Sequence, residues 1–292
     1  MSILIYGSNG WIGQQFIELL DSKYNSINYV CGSSRVDNEK DIEEEINRLQ
    51  PTHIISFIGR THGSIDGKVY STIDYLEQEG KLRENINDNL YSPLVLAELC
   101  RIYNIHYTYL GTGCIFEYLR NDENPFRFTE DSLPNFFGSS YSIVKGFTDR
   151  LMHFYKDSVL NLRIRMPITG ERNSRNFITK ITTYEKICSV PNSMTVLPEL
   201  LPYVVDMMLN KTTGTVNLTN PGVITHNEIL EMYKELVDHE FTWKNFSEEE
   251  QRKILASGRS NNHLDTTRLE TLYPMVEPIH VAVRKCLMTY IK

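Results

Sequence analysis

Short apolar runs and amphipathic stretches alternate along the first half of the chain. Residues 3–6 form an apolar run that stops at Gly7, the pattern of a strand buried on both faces. Residues 11–20 follow, with Ile12, Phe16, Ile17, Leu19 and Leu20 at helical spacing. Residues 27–31 predict a second strand, and 41–49 a polar helix with Ile42, Ile46 and Leu49 on one face. Pro51 stops that helix, and 53–58 predict a third strand. A helix over 85–103, a strand over 106–110, a helix over 141–155 and a strand over 160–165 continue the series. Alternation of this kind predicts an α/β fold on a doubly wound parallel sheet.

After Pro167 the alternation weakens. Helices are expected over 176–187 and 198–209, and a strand over 215–218 that returns to the first sheet. Thr225-His226-Asn227-Glu228 and Ser247-Glu248-Glu249-Glu250 fit the capping box and should each start a helix. A closing helix is expected over 276–291. The expected division is a sheet domain over 1–165 and a smaller, mostly helical domain over 166–292. The long irregular stretch at 117–138 reads as a functional loop.

Composition narrows the class. The 292 residues are 41% hydrophobic and 23% charged, enough apolar material for a sizeable core. Thirty basic against 37 acidic residues leave a net charge of −7, which argues against a nucleic-acid binder. Cys31, Cys100, Cys114, Cys188 and Cys286 are odd in number and form no CxxC or zinc-spaced cluster. That usage points to a reducing cytoplasmic compartment, with no disulfide framework and no metal centre. The first residues lack a signal-peptide pattern, and no run of about 18 apolar residues predicts a membrane span.

Two motifs carry candidate chemistry. Gly7-Ser8-Asn9-Gly10-Trp11-Ile12-Gly13 lies between the first strand and the first helix. Glycines there permit a tight turn and close approach of backbone to a pyrophosphate, which the helix N-terminus attracts. The second strand ends in Ser33-Ser34-Arg35, with no carboxylate before Asp37. A ribose 2′-OH is usually held by Asp or Glu at this point, so Ser33, Ser34 and Arg35 suggest a 2′-phosphate and hence NADPH. The second motif is Tyr141-Ser142-Ile143-Val144-Lys145, which sets a phenol and an ammonium one helical turn apart. A nearby cation stabilises a phenolate, and such a Tyr can hand a proton to a developing alkoxide. Thr112, at the end of the fourth strand, can help bind the same oxygen.

The glycine turn, Thr112, Tyr141 and Lys145 resemble the extended short-chain dehydrogenase/reductases, a Rossmann-type family, and Asn89 matches their active-site Asn. Gly113-Cys114-Ile115-Phe116-Glu117-Tyr118, Arg163-Ile164-Arg165-Met166-Pro167-Ile168 and Arg175-Asn176-Phe177-Ile178-Thr179-Lys180-Ile181 are similar to one subfamily. So are Pro191-Asn192-Ser193-Met194-Thr195, Thr219-Asn220-Pro221-Gly222 and Arg259-Ser260-Asn261-Asn262. That subfamily is the UDP-4-keto-6-deoxyglucose 3,5-epimerase/4-reductases of UDP-L-rhamnose synthesis. The resemblance is near-continuous from Tyr109 onward and thins over 32–42 and 61–80. It implies reduction at C4 by Thr112, Tyr141 and Lys145 with NADPH, and epimerisation at C3 and C5 by Cys114 and Lys180. It also implies a separate 4,6-dehydratase upstream, and a homodimer is left open.

Chemistry explains why such an enzyme needs the extra pair. The C3 and C5 hydrogens are acidic because they are α to the C4 ketone. Inverting each centre needs a base on one face and an acid on the other. Cys114 can be a thiolate if a cation is near. A buried Lys180 can lose its proton readily. Asn176 and Arg259 are read either as ligands of the UDP diphosphate or as structural hydrogen-bonders. Two rival readings are a 4-ketoreductase without epimerase activity, like dTDP-4-dehydrorhamnose reductases, and a non-catalytic NADP-binding regulatory subunit.

Overall fold

The structure, a computed structural model, describes residues 2–118 and 126–290. Residues 119–125 of the expected loop and the expected helix end at Ile291 lie outside the described residues. The chain divides into two compact units, each made of three separate segments. The first comprises Met1–Thr112, Ser140–Arg163 and Leu201–Val216; the second comprises Gly113–Ser139, Ile164–Leu200 and Asn217–Lys292. A single cut at 165 therefore misplaces two segments. Segment 113–139 leaves the first unit straight after the fourth strand, and 201–216 comes back to supply the last one.

The first unit carries a six-stranded sheet. Its strands are β1 (Ser2–Tyr6), β2 (Asn28–Cys31), β3 (His53–Ser56), β4 (His106–Thr112), β5 (Val159–Ile164) and β6 (Gly214–Asn217). Their spatial order is β6-β5-β4-β3-β1-β2. The pairs β1–β2, β1–β3 and β3–β4 are parallel, with Ile3 facing Tyr29 and His53, and His53 facing His106. The order reverses between β1 and β3, which is where an open α/β sheet binds ligands at its carboxyl edge. The returning strand expected near 215–218 is β6.

Helices α1 (Trp11–Lys23), α2 (Glu39–Leu49), α3 (Leu82–Ile86 continuing to Ser92–Ile102) and α4 (Ser140–Met152) follow the strands. One core cluster joins Leu4, Ile42, Ile46, Ile54, Leu96, Leu99 and Tyr107, the apolar faces that periodicity marks. Two features were not in the pattern. A π-turn at Asn87–Tyr91 interrupts α3. A hairpin joins Gly63–Ile65 to Lys68–Tyr70, turning on Asp66 and Gly67, both with positive φ. Asp-Gly between short strands is the local signal for that turn.

The second unit packs a separate core of Ile168, Ile178, Met194, Val196, Ile224, Ile229, Ile279 and Val283. Its helices include α5 (Phe177–Thr183), α6 (Leu197–Leu209, shared with the first unit), α7 (His226–Leu236), α8 (Glu248–Ile254), α9 (Thr267–Leu272) and α10 (Ile279–Met288). Both expected capping boxes are formed, Thr225 with Glu228 and Ser247 with Glu250. Helix α5 is shorter than its pattern. The hydroxyls of Thr182 and Thr183 bond back to carbonyls of its last turn, and Lys186–Ile187 leaves to pair with Lys244–Asn245.

Candidate active site

The glycine turn leaves β1 at the sheet's reversal point. Gly7 has φ +75, and a Cβ there would lie 2.9 Å from the Ile58 backbone nitrogen. A Cβ on Gly13 would meet the Gly7 carbonyl at 2.4 Å. Side chains at these positions would push the turn away from β3 and from α1. Gly10 caps α1 in extended conformation without a side-chain hydrogen bond, so no side chain takes up the helix's first N–H groups there. The indole N–H of Trp11, buried in the same turn, has no acceptor among the described residues. Ser8 is buried, while Asn9 and Gly10 are exposed. Backbone donors, close approach and a positive helix end suit a dinucleotide phosphate.

The loop after β2 holds a carboxylate that sequence order hid. Glu45, from α2, is buried and accepts from the Tyr6 hydroxyl (2.8 Å), the Ser33 amide (2.9 Å) and the Ser33 hydroxyl (2.8 Å). The Ser34 amide adds a fourth donor at 3.3 Å. Burial alone would raise the Glu45 pKa, but these hydrogen bonds outweigh it and hold the carboxyl below its ordinary value. Ser33 and Ser34 are thus tied to Glu45. The Arg35 side chain is 73% exposed and pairs with Asp37 at 2.8 Å. Arg35, Ser33 and Ser34 line an open cavity of about 1070 Å³ with Asn38, Arg48 and Tyr91.

The residues expected to serve reduction lie on β4 and α4. Thr112 ends β4, and Tyr141 and Lys145 are buried in the first turns of α4. The Lys145 ammonium donates to the Tyr109 hydroxyl at 2.5 Å and lies 4.7 Å from the centre of its ring. Tyr109 points from β4 toward both Lys145 and Tyr141, and burial pushes its own pKa far up. Helix α4 is fixed by two ties. Asp149 accepts from Arg163 Nε at 2.8 Å and from one of its terminal nitrogens at 2.7 Å, as a fully buried ion pair with β5. The Thr148 hydroxyl donates at 2.6 Å to the Asn89 carbonyl, within the π-turn. The Asn89 amide clasps Arg60 on both sides, accepting from its N–H at 3.0 Å and donating to its C=O at 2.9 Å. Asn89 therefore fixes the loop after β3.

In the second unit, Lys180 on α5 is largely buried. Burial, with Arg175 and Arg259 nearby, pushes its pKa down to about 8. Arg175 was not among the candidate site residues; its place in the motif beside Asn176 was the available signal. Three cations gathered this way suit a diphosphate. Asn176 takes the structural of its two readings. It is wholly buried, caps α5 through the Ile178 amide and donates to the Thr169 and Glu171 carbonyls. Arg259 donates to the Ser257 carbonyl at 3.0 Å and to its hydroxyl. Cys114 is half-buried, the only cysteine of intermediate exposure among the described residues. The interior beside it holds Arg165, whose stem packs on Gly113.

A six-stranded doubly wound sheet with this glycine turn and a Tyr–Lys pair on the helix after β4 defines a short-chain dehydrogenase/reductase. The chain belongs to the NAD dependent epimerase/dehydratase family, whose sequence model matches residues 3–184. It is 54% identical to the L780 UDP-rhamnose synthase of Acanthamoeba polyphaga mimivirus, over 99% of each chain, and the two structures superpose with a TM-score of 0.94. It is 41% identical to a bifunctional dTDP-4-dehydrorhamnose 3,5-epimerase/dTDP-4-dehydrorhamnose reductase of Arabidopsis thaliana, over 97% of this chain and 91% of that one. A trifunctional UDP-glucose 4,6-dehydratase/UDP-4-keto-6-deoxy-D-glucose 3,5-epimerase/UDP-4-keto-L-rhamnose-reductase of the same plant is 39% identical over 99% of this chain and 41% of its own length. No described helix is long and apolar enough to cross a membrane.

Proposed function

We propose that the protein is a bifunctional 3,5-epimerase/4-reductase that converts UDP-4-keto-6-deoxy-D-glucose to UDP-β-L-rhamnose with NADPH. The observation that carries the reading is the pairing, in one chain, of a buried Tyr141–Lys145 set with Cys114 and a Lys180 whose pKa sits near 8. A 4-ketoreductase needs only the first set. Similarity to the mimivirus synthase over the whole chain supports the same reading.

The cofactor, when bound, supplies hydride to C4. Tyr141 donates the proton to the C4 oxygen, with the Lys145 charge favouring the phenolate it leaves and Thr112 binding the same oxygen. Cys114 removes a proton α to the ketone, and Lys180, still mostly ammonium at neutral pH, returns one to the opposite face. Arg175 and Arg259 hold the diphosphate. The NADPH preference rests on Arg35. Its side chain is exposed, and the fork that now meets Asp37 with two hydrogen bonds has the geometry to turn to a 2′-phosphate. A separate 4,6-dehydratase supplies the keto-sugar.

The test is incubation of the purified protein with enzymatically made UDP-4-keto-6-deoxyglucose. With NADPH, NMR should show UDP-β-L-rhamnose. In deuterated water without NADPH, deuterium should enter at C3 and C5. Cys114→Ser should slow that exchange by about 10² or more, the usual size of a general acid/base contribution. Reduction of the D-configured ketone without any exchange would leave a plain reductase.

A further inference from the structure

The cation expected to serve reduction is held by a residue that no motif marked. Tyr109 stands on β4 and is 1% exposed. Its ring lies 6.4 Å from that of Tyr107, two residues back on the same face of the strand. Leu96 and Leu99 of α3 and Met152 of α4 belong to the same core. The Lys145 ammonium, on a residue 3% exposed, donates to the Tyr109 hydroxyl at 2.5 Å. The ring centre is 4.7 Å from the same nitrogen, so the ammonium lies beyond the hydroxyl rather than over the ring face. Burial strips an ammonium of water, so it needs such an acceptor. Lysine also brings a flexible stem and rotatable donors, so its charge goes where its acceptors are. The rival acceptor one turn along α4 is Asp149, at a spacing that a lysine reaches. Asp149 is already spent on Arg163, at 2.8 and 2.7 Å, and on Asn161 at 2.9 Å.

We propose that Tyr109 is a positioning residue for reduction: its hydroxyl holds the Lys145 ammonium on the face of α4 that carries Tyr141. The inference rests on the reductase half of the reading above and adds a residue to it. Tyr141 and Lys145 share that face because they are four residues apart on one helix. A cation helps a phenol give up its proton only while it stays near, since the attraction falls with distance. Burial pushes the Tyr109 pKa far up, so its hydroxyl stays neutral and keeps its own proton while it accepts from the ammonium. A tyrosine has few rotatable bonds, and this one is packed in the core, so it is a stiffer anchor than the lysine it holds. The Asp149–Arg163 pair gains a second use: it keeps a carboxylate from drawing Lys145 along the helix, away from Tyr141.

The experiment compares wild type with Tyr109→Phe, which keeps the ring and removes the hydroxyl. In the protein without cofactor, labelled with nitrogen-15 lysine, NMR should show the Lys145 ammonium as a slowly exchanging signal, assigned by its loss in Lys145→Arg. In Tyr109→Phe its exchange with water should speed up by about tenfold or more, the size of one hydrogen bond to a charged group. The kcat for NADPH oxidation with the keto-sugar should fall by a similar factor, while KM for NADPH and for the sugar each change less than about twofold. An unchanged ammonium signal in folded Tyr109→Phe would overturn the proposal, and so would an unchanged kcat. If Tyr109→Phe does not fold, the wild type decides: a Lys145 ammonium that exchanges as fast as those of surface lysines overturns it as well. A wild type that binds NADPH but oxidises none with the keto-sugar removes the reductase reading, and with it the role in reduction. The exchange rates then still decide whether Tyr109 holds Lys145.

Discussion

Tyr141 and Lys145 are both buried, which fits the proposed pairing of a proton donor with its cation. Tyr141→Phe keeps the ring and removes the donor. NADPH oxidation in the presence of keto-sugar should fall by about 10² to 10⁴ with little change in melting temperature. Arg35 is the opposite kind of residue, exposed and paired with Asp37. Arg35→Ala should raise the Kd for NADPH while leaving that for NADH nearly unchanged, read by fluorescence titration; equal losses would remove Arg35 from the 2′-phosphate. Residues in local motifs were legible from the chain, because a turn or a helix fixes their spacing. Glu45 and Arg165 were not. Glu45 reaches Ser33 from 12 residues away, and Arg165 meets Ser260 across 95, distances at which sequence order carries no signal.

Among the elements, β3 and β4 bring His53 and His106 side by side, their ring centres 5.6 Å apart. Burial first, then His106 and Lys211, lowers the His53 pKa to about 4. Burial likewise lowers that of His106. A folded-state pKa below the unfolded value means that the unfolded chain binds protons more readily. The stability from a neutral His53 is therefore complete above about pH 6.5 and is lost as pH falls toward 4, by about 3 kcal/mol for that group. Chemical denaturation at pH 7.5 and 5.0 should show the loss in wild type and a smaller one in His53→Phe. The strands themselves were legible, since each is a short apolar run. The π-turn in α3 was not, because residues 87–91 keep the helical pattern of their surroundings. The Asn89 carbonyl that Thr148 reaches belongs to that turn, a tertiary contact that periodicity does not encode.

For the whole molecule, the division expected at 165 failed for a topological reason. Hydrophobic periodicity reports which residues are buried, not which core they join. The chain passes from one unit to the other at 112/113, 139/140, 163/164, 200/201 and 216/217. A fragment of residues 1–165 lacks β6 and the 201–209 part of α6, so it should show no cooperative thermal transition by circular dichroism, whereas the full chain should show one. Interleaving also constrains inheritance. A protein whose halves are separate stretches of chain can lose or exchange one of them in a single recombination event. Here such an exchange would leave both bodies incomplete, so the unit of heredity is the entire stretch, open to joining at its ends and closed to splitting within. The Arabidopsis trifunctional protein fits that rule: 99% of this chain finds its counterpart there, inside a polypeptide more than twice as long.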